Sequence, residues 1–528
     1  MGSGSKSAKV LGDFLTKHAA ERPRKEAIVF KDKRVTWAEY DRQTDLVAMG
    51  LIQLGVKKGD KIGVYIPNWP EFLLTYLGAS KIGAVCVPIG WRLTPGEIKF
   101  IINYAEVSVL VMADGFFGMD FVKNLEAIRG EAPTLKHVVM LNKEKATSGM
   151  ISWEAFQSKP TSELDRYKTT VEPDDNVIFI FTSGTTGVPK AAMLTHKNLI
   201  AYTNGEAEAL QLADDEVTIM NLPLNHVGGA SMVVLLCLNI GAKVVMMDMF
   251  DPEKTLQLIQ DEKVTVLGQV PAQYALELIS PNIDKYDLSS IRKAVVASQP
   301  CPSELIMAVK NKMGTMPQNA YGLTETCGAI TFTKIEHGEE KLKYTVGVPM
   351  KGIDLIITDL ENNILPAGQT GEIAIKGDAV MKGYWKRPDE DAKVFDKNGY
   401  FHTGDMGVID KDGYVSIVGR KKEMYIRGGE NVYPPEIEEA VAQHPDVLMV
   451  AVVGRPHPVF GEVGRAYVVP KPGTHPTAEG MKQFLKDRLA KYKIPEDIIF
   501  RDQLPLSPLG KVKKLDLYQE MEKEFAKK

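Results

Sequence analysis

The sequence predicts an α/β protein: a large N-terminal domain of parallel-type sheets and helices carrying a β subdomain, followed by a small α+β C-terminal domain. Three observations predict it. Short apolar runs alternate with amphipathic helical stretches through most of the chain, the pattern of parallel sheets covered on both faces. From Gly347 that texture gives way to short strands separated by polar turns such as Asp410-Lys411-Asp412-Gly413. The chain has 528 residues, more than the roughly 250–300 at which one core stops growing, so at least two domains are required.

The elements follow in order. Residues 10–20 set Leu11, Phe14 and Leu15 at helical spacing, and Thr36-Trp37-Ala38-Glu39 is a capping box opening a helix that Gly55 stops. Residues 61–66 read as a strand ended by Pro67-Asn68, and a helix follows through Phe72 and Leu77. Residues 84–89 form the next strand, Thr94-Pro95-Gly96-Glu97 caps a helix with proline at its first position, and 107–112 is again a strand. An apolar run at 177–180 precedes a Gly/Thr-rich loop, and a helix starts near His196. Further strands fall at 217–222, 242–246, 264–268 and 294–297, with helices between. The β region has strands at 353–357, 371–376, 408–409 and 414–418. The tail has a helix at 435–443, strands at 447–453 and 466–470, and a helix at 478–491. The boundary is placed at 420–422, giving domains 8–420 and 421–528.

A hydrophobic content of 44% and a charged content of 25% are ordinary for globular chains. A net charge of −4 argues against nucleic acid as a partner. Cys86, Cys237, Cys301 and Cys327 are scattered without metal-ligand spacing and read as inert reduced thiols, which favours the cytoplasm. The longest apolar run, Ala230 to Leu238, is too short to cross a bilayer, so no integral membrane segment is expected. Met1 to Ser5 resembles an added leader and is set aside.

The Gly/Thr-rich loop, Phe181-Thr182-Ser183-Gly184-Thr185-Thr186-Gly187-Val188-Pro189-Lys190, has the properties of a polyphosphate cradle. Glycines let backbone amides approach an oxyanion, while hydroxyls and an ammonium add donors and charge. It is not a Walker A loop: Gly184 and Gly187 are too close together, Pro189 precedes the lysine, and Ala191 stands where a magnesium-binding hydroxyl belongs. Asn319-Ala320-Tyr321-Gly322-Leu323-Thr324-Glu325 offers a carboxylate that can hold Mg²⁺ against phosphates. Tyr400-Phe401-His402-Thr403-Gly404-Asp405 places a second carboxylate on a turn, suited to a ribose diol.

These stretches, in this order, resemble the adenylate-forming superfamily, specifically its AMP-forming acyl-CoA synthetases; the resemblance runs from about residue 10 to 515. It implies two parallel-type sheets in the large domain and a mobile C-terminal domain. It implies ATP, Mg²⁺ and coenzyme A as cofactor and co-substrates, with a small carboxylic acid as the other partner; a homodimer is one assembly open to such a chain. Thr182, Ser183, Gly184, Thr185, Thr186, Gly187 and Lys190 would hold phosphates, with Glu325 and Thr185 on the metal. Tyr321 would pack on adenine, Asn319 and Ala320 would lie at the base edge, and Gly322 and Thr324 beside the nucleotide. Ser298-Gln299-Pro300 would form the other wall, where relatives commonly have Gly-Gly-Ala-Pro. Asp405, Ile417 and Arg420 would receive the ribose and adenosine. Lys422 would be the pivot, Gly428, Gly429 and Glu430 would meet the pantetheine arm, and Lys511 would reach the bond-forming centre. His226 would sit at the acyl pocket with Val227, Gly229, Ala230, Gln273, Tyr274, Gly322 and Cys327. Lys190, Thr185, Glu325, His226 and Lys511 are the expected catalytic set. Lys513 and Lys514 are expected to be solvated.

The implied reaction joins an acid to AMP and then to CoA, releasing AMP and pyrophosphate. Residues 225–232 lack the aspartate with which amino-acid-activating relatives hold an ammonium, which favours an acid without an α-amine, and the mix of pocket candidates would admit a medium-chain fatty, cyclic or aromatic acid. Alternatives are a stand-alone enzyme loading a carrier protein, a luciferase-like oxygenase, and a catalytically silent nucleotide binder.

Overall fold

The computed structural model describes residues 8–147, 149–182, 189–299, 301–506 and 512–525. The chain forms two compact units, Met1–Asp354 with Lys376–Gly399, and Leu355–Ile375 with Tyr400–Lys528.

The first unit holds two large sheets. One has seven strands, in spatial order Lys190–Thr195, Asn176–Thr182, Val85–Pro88, Lys61–Tyr65, Val107–Met112, His137–Met140 and Ile151–Ser152. The other has nine, in order Val348–Pro349, Gly328–Phe332, Pro317–Leu323, Lys293–Val296, Val266–Gln269, Val217–Met220, Lys243–Met246, Glu26–Phe30 and Lys33–Thr36. Their central strands are parallel, as the alternation predicts, and antiparallel strands close every edge except Ile151–Ser152, which runs parallel to His137–Met140. The buried strand residues are mostly aliphatic, as expected of strands covered on both faces, with polar exceptions such as Thr218, Gln269, Gln318 and Asn319.

Local signals placed the helices. Thr36 and Glu39 close a reciprocal capping box on Trp37–Gln53, and Thr94 and Glu97 close one on Pro95–Ala105. One expectation changes. The phosphate-loop region is not strand–loop–helix. Asn176–Thr182 and Lys190–Thr195 are antiparallel neighbours, and only then does Thr195 cap the helix His196–Ala209. Ala191, Ala192 and Leu194 are fully buried, and small side chains let this edge strand lie close to its neighbours. Tyr321 to Glu325 leads into one 3₁₀ turn, Thr324–Thr326. Cys327 at φ +62° and Gly328 at φ +145° then reverse the chain into Gly328–Phe332.

The second unit contains most of a four-stranded sheet of Ile353–Thr358, Gly371–Gly377, Phe401–Ile409 and Val415–Arg420, the last three antiparallel. It also contains a five-stranded sheet built around the long pair Val447–His457 and Gly461–Pro470. Pro434–Ala442 and Ala478–Leu485 pack on that sheet through Ile437, Val441, Met481 and Leu485. The last predicted helix is thus shorter than its apolar pattern suggested, ending at Leu485, with a 3₁₀ turn at Lys491–Lys493.

Candidate active site

In the first unit the phosphate-loop strands bring Thr182 and Lys190 opposite each other, with the Thr182 hydroxyl donating to the Lys190 carbonyl at 3.5 Å. Ser183, Gly184, Thr185, Thr186 and Gly187 lie outside the described residues, as does Pro300. The Lys190 side chain is 9% exposed and its Nζ pairs with Glu390, whose side chain is 6% exposed. Arg387 and Lys393 converge on the same carboxylate at 2.9 and 2.8 Å. Lys190, with Lys393, holds that carboxyl down at about 2.

Below the ammonium lies the ring of Tyr384, 5.0 Å from centroid to Nζ. The Tyr384 hydroxyl donates to Glu325 Oε1 at 2.7 Å. Burial, then the Glu325 charge, push that phenol well above its usual range. Tyr384, Arg387 and Glu390 carry no motif that sequence reasoning recognised, yet they connect the predicted phosphate lysine to the predicted metal carboxylate.

The wall predicted for the base is partly committed to the fold. Asn319 Nδ2 donates to the carbonyls of Leu342 at 2.7 Å and Thr345 at 3.3 Å, so what its side chain offers a ligand is an acceptor oxygen. Ala320 is buried, and Tyr321 and Gly322 are half-buried. A Cβ on Gly322 would come within 1.9 Å of the Gly328 carbonyl oxygen. Ser298 adopts φ +75°, the left-handed region that glycine enters freely. Gln299 is half-buried and Thr324 buried.

His226, Val227, Gly229 and Ala230 come together at the start of a π-helical turn, Gly228–Val233, a distortion that recurs at functional sites. His226 Nδ1 accepts from the Gly228 amide at 3.1 Å, which puts the ring proton on Nε2. A Cβ on Gly229 would lie 2.5 Å from the Pro223 carbonyl oxygen, so the turn needs glycine there. Asn68, unforeseen, clamps the approach by donating to Leu222 O and accepting from Leu224 N. Tyr274 does not join this group. It packs among Ile219, Leu267 and Val296, and its hydroxyl is spent on the carbonyls of Leu267 and Val295. Gln273 is likewise engaged with Asn221 O and Val270 N. Gly268, on the opposite face from Leu267, opens onto space that a Cβ would not fill. Cys327 is fully buried, and burial raises its thiol well above the usual range; all four cysteines are free.

In the second unit Asp405 and Arg420, 15 positions apart in sequence, are cross-strand partners, with Arg420 Nε 2.6 Å from Asp405 Oδ1. Asp405 lies not on the expected turn but within the strand Phe401–Ile409, after an irregularity at Gly404 (φ +72°) that Glu372 organises by accepting from Gly404 N and Lys421 Nζ and approaching His402. Burial pushes the Glu372 carboxyl up, but His402 and Lys421 outweigh it and hold it at about 2. Ile417 is one-third exposed. Lys422 lies exposed in the turn between Val415–Arg420 and Tyr425–Arg427. Gly428 and Gly429, at φ +60° and +92°, form a two-residue turn between Arg427 and Glu430, the geometry that tight hairpins reserve for glycine. All three residues 428–430 are exposed.

Lys511 lies outside the described residues; Leu506 and Val512, on either side of 507–511, form an antiparallel bridge. Lys514 is not solvated. It pairs with Glu423 at 2.9 Å and Glu438 at 2.8 Å, and these carboxylates outweigh burial to raise its ammonium above the usual value.

Among the described residues no three His, Cys, Asp or Glu side chains gather as a metal cage, and no helix is long and apolar enough to cross a membrane. Glu325, with one oxygen engaged by Tyr384, fits instead a cation held by one carboxylate together with phosphate oxygens, the way Mg²⁺ is commonly bound.

Comparison with known proteins agrees over the whole chain. Residues 15–385 match the AMP-binding enzyme family and 436–511 its C-terminal domain. The chain is 34% identical to an indoleacetate–CoA ligase of Aromatoleum aromaticum over 96% of this chain and 98% of that protein. It is 32% identical to a long-chain-fatty-acid–CoA ligase of Bacillus subtilis, covering 97% and 94%. ATP-bound MatB from Rhodopseudomonas palustris superposes with a TM-score of 0.84 at 29% identity, over 96% of this chain and 98% of that one. The anthranilate CoA ligase AuaEII in complex with anthranoyl-AMP does so at 0.86 and 25%, over 98% of each. The chain therefore belongs to the AMP-binding, adenylate-forming superfamily, as an AMP-forming acid:CoA ligase.

Proposed function

We propose that this ligase activates a medium-chain fatty, cyclic or aromatic carboxylic acid, in the cytoplasm, with Mg²⁺ held by Glu325. The observation that carries the substrate class is the π-helical turn: around His226 the chain presents Val227, Gly229 and Ala230 and no carboxylate to meet a substrate ammonium. Relatives named for indoleacetate, ferulate and a long-chain fatty acid support this range.

In the first half-reaction the substrate carboxylate attacks the α-phosphorus of ATP, forming acyl-AMP and releasing pyrophosphate. Such chemistry is largely positioning and neutralisation of charge. Thr182 to Lys190 take the triphosphate, Asn319 accepts from the exocyclic amine of adenine, and Asp405 accepts from the ribose hydroxyls with Arg420 beside it. Lys511 supplies a cation at the reacting centre, and Thr185 and Glu325 are the side chains that would hold Mg²⁺, which when bound neutralises phosphate charge. A rotation of residues 421–528 about Lys422 then replaces Lys511 with the Gly428–Glu430 turn. The CoA thiol attacks the acyl carbon and AMP leaves. A reaction in two steps needs two sets of groups at one carbon, which a rotating domain supplies in turn.

The test is acid-dependent AMP release with and without CoA across aliphatic, cyclic and aromatic acids. Preference for an amino acid, or for a carrier protein over CoA, would overturn the reading.

A further inference from the structure

Residues 381–385 run beside the phosphate-loop strand as a short extra rung. Lys382 N donates to Met193 O at 3.0 Å, Met193 N to Gly383 O at 2.9 Å, and Trp385 N to Ala191 O at 2.9 Å. The same segment reaches the other motif, with Met381 N donating to Glu325 O at 2.7 Å. Asp391 closes it from below by accepting from Tyr384 N at 2.8 Å. Tyr384 is therefore fixed in backbone and side chain at once, and it is 5% exposed.

Two of its contacts matter chemically. Its hydroxyl engages one oxygen of Glu325, which sets the carboxylate plane and leaves the other oxygen for a cation. Its ring lies under the Lys190 ammonium, 5.0 Å from centroid to Nζ, so that the quadrupole holds the charge while Glu390 neutralises it. We propose that Tyr384 is a positioning residue of the nucleotide site: its hydroxyl orients Glu325 for the divalent cation, and its ring seats Lys190 for the triphosphate. This rests on the roles given to Glu325 and Lys190 under the proposed function. Groups that orient a metal ligand commonly change metal affinity 10–100-fold when removed, without touching the metal themselves.

The experiment uses the full chain and separates hydroxyl from ring. Mn²⁺ binding is read by electron paramagnetic resonance with a non-hydrolysable ATP analogue present, and metal-free ATP binding by titration calorimetry. Tyr384→Phe is expected to weaken Mn²⁺ binding about tenfold while metal-free ATP binding stays within about twofold of the parent. Tyr384→Leu, which also removes the ring, is expected to weaken both. Unchanged Mn²⁺ affinity in Tyr384→Phe overturns the proposal. Glu325→Asp keeps Tyr384 but withdraws the carboxylate from it. Adding Tyr384→Phe to that variant should change Mn²⁺ affinity no further, and another tenfold loss overturns the proposal independently. If Glu325→Gln itself leaves Mn²⁺ binding intact, the metal role of Glu325 has failed instead, and the two failures are told apart.

Discussion

Glu390→Gln tests whether the pairing of Lys190 is a resting state that nucleotide must displace. In the structure both side chains of the pair are over 90% buried. The amide keeps the shape of Glu390 and removes its charge. Arg387 and Lys393, 23% and 64% exposed, can return to water, but Lys190 cannot. Removing one partner of a buried pair costs about 3–5 kcal/mol, because the other charge stays desolvated. At ~2 °C per kcal/mol for a large domain, the nucleotide-free variant should melt about 6–10 °C lower. The triphosphate then acts as replacement counter-ion. In the parent it must compete with Glu390 for the ammonium, and in the variant it need not. Losing a competitor worth a charge-assisted hydrogen bond, ~1.5–3 kcal/mol, should tighten ATP binding about tenfold or more. Through linkage, saturating ATP should then stabilise the variant by ~1.4 kcal/mol more than the parent. Differential scanning fluorimetry with an ATP series measures both quantities. An unchanged melting temperature and an unchanged ATP increment together would refute the counter-ion reasoning, and weaker ATP binding would show that Glu390 seats the lysine for phosphate instead.

Lys511→Ala should abolish adenylation while largely sparing thioester formation from supplied acyl-AMP, since a cation ~4 Å from the reacting groups contributes ~4 kcal/mol, roughly a thousandfold in rate. Lys422→Pro should do the reverse, and separate assays of the two half-reactions check both; equal losses would remove the rotation. Gly322→Ala should destabilise by ~3 kcal/mol or more in urea titration, because its Cβ meets backbone at 1.9 Å rather than a movable side chain. Stability should also fall on both sides of mildly acidic pH. Burial pushes the Glu277 carboxyl up to about 8 against Gln269, so the fold keeps a proton that the unfolded chain loses above about 4.5, and stability drops as pH rises through that window. Burial lowers His196 to about 3, so the unfolded chain gains a proton below about 6.5 that the fold refuses, and stability drops as pH falls from there. Glu277→Gln should flatten the upper limb by up to ~1.4 kcal/mol per pH unit and leave the lower limb unchanged.

What was legible in the sequence was what neighbouring residues decide among themselves. Thr36 with Glu39 and Thr94 with Glu97 satisfy helix-end amides within three residues, so the pattern announces the structure. Central strands were legible because burial on both faces leaves runs that are mostly aliphatic. The edge strand Lys190–Thr195 was not, because its identity depends on pairing with Asn176–Thr182 across a loop. Lys514 was misread for the same reason: its neighbours in sequence are lysines and leucine, whereas its partners, Glu423 and Glu438, arrive from elsewhere.

The same division runs through the site. The family resemblance assigned Asp405 and Arg420 to one ribose, and the structure shows how they meet: two antiparallel strands joined by a polar turn bring a spacing of 15 into register. Glu372, which shapes the strand irregularity before Asp405, was not foreseen, since nothing near it in sequence marks it as more than one acid on a strand. Glu390 lies 200 positions from Lys190, and Tyr384 lies 59 from Glu325. Motif reasoning finds groups whose chemistry must face the substrate, because that chemistry restricts the residue type. It passes over groups that face those groups, because a tyrosine or glutamate serving a lysine looks like any other. A buried lysine nonetheless demands a counter-charge, and a carboxylate poised for a cation demands a fixed plane. Those demands could have been stated from Lys190 and Glu325 alone. Only the fold could say that one eleven-residue stretch, 381–391, answers both, and that the two expected functions of the site are thereby mechanically joined.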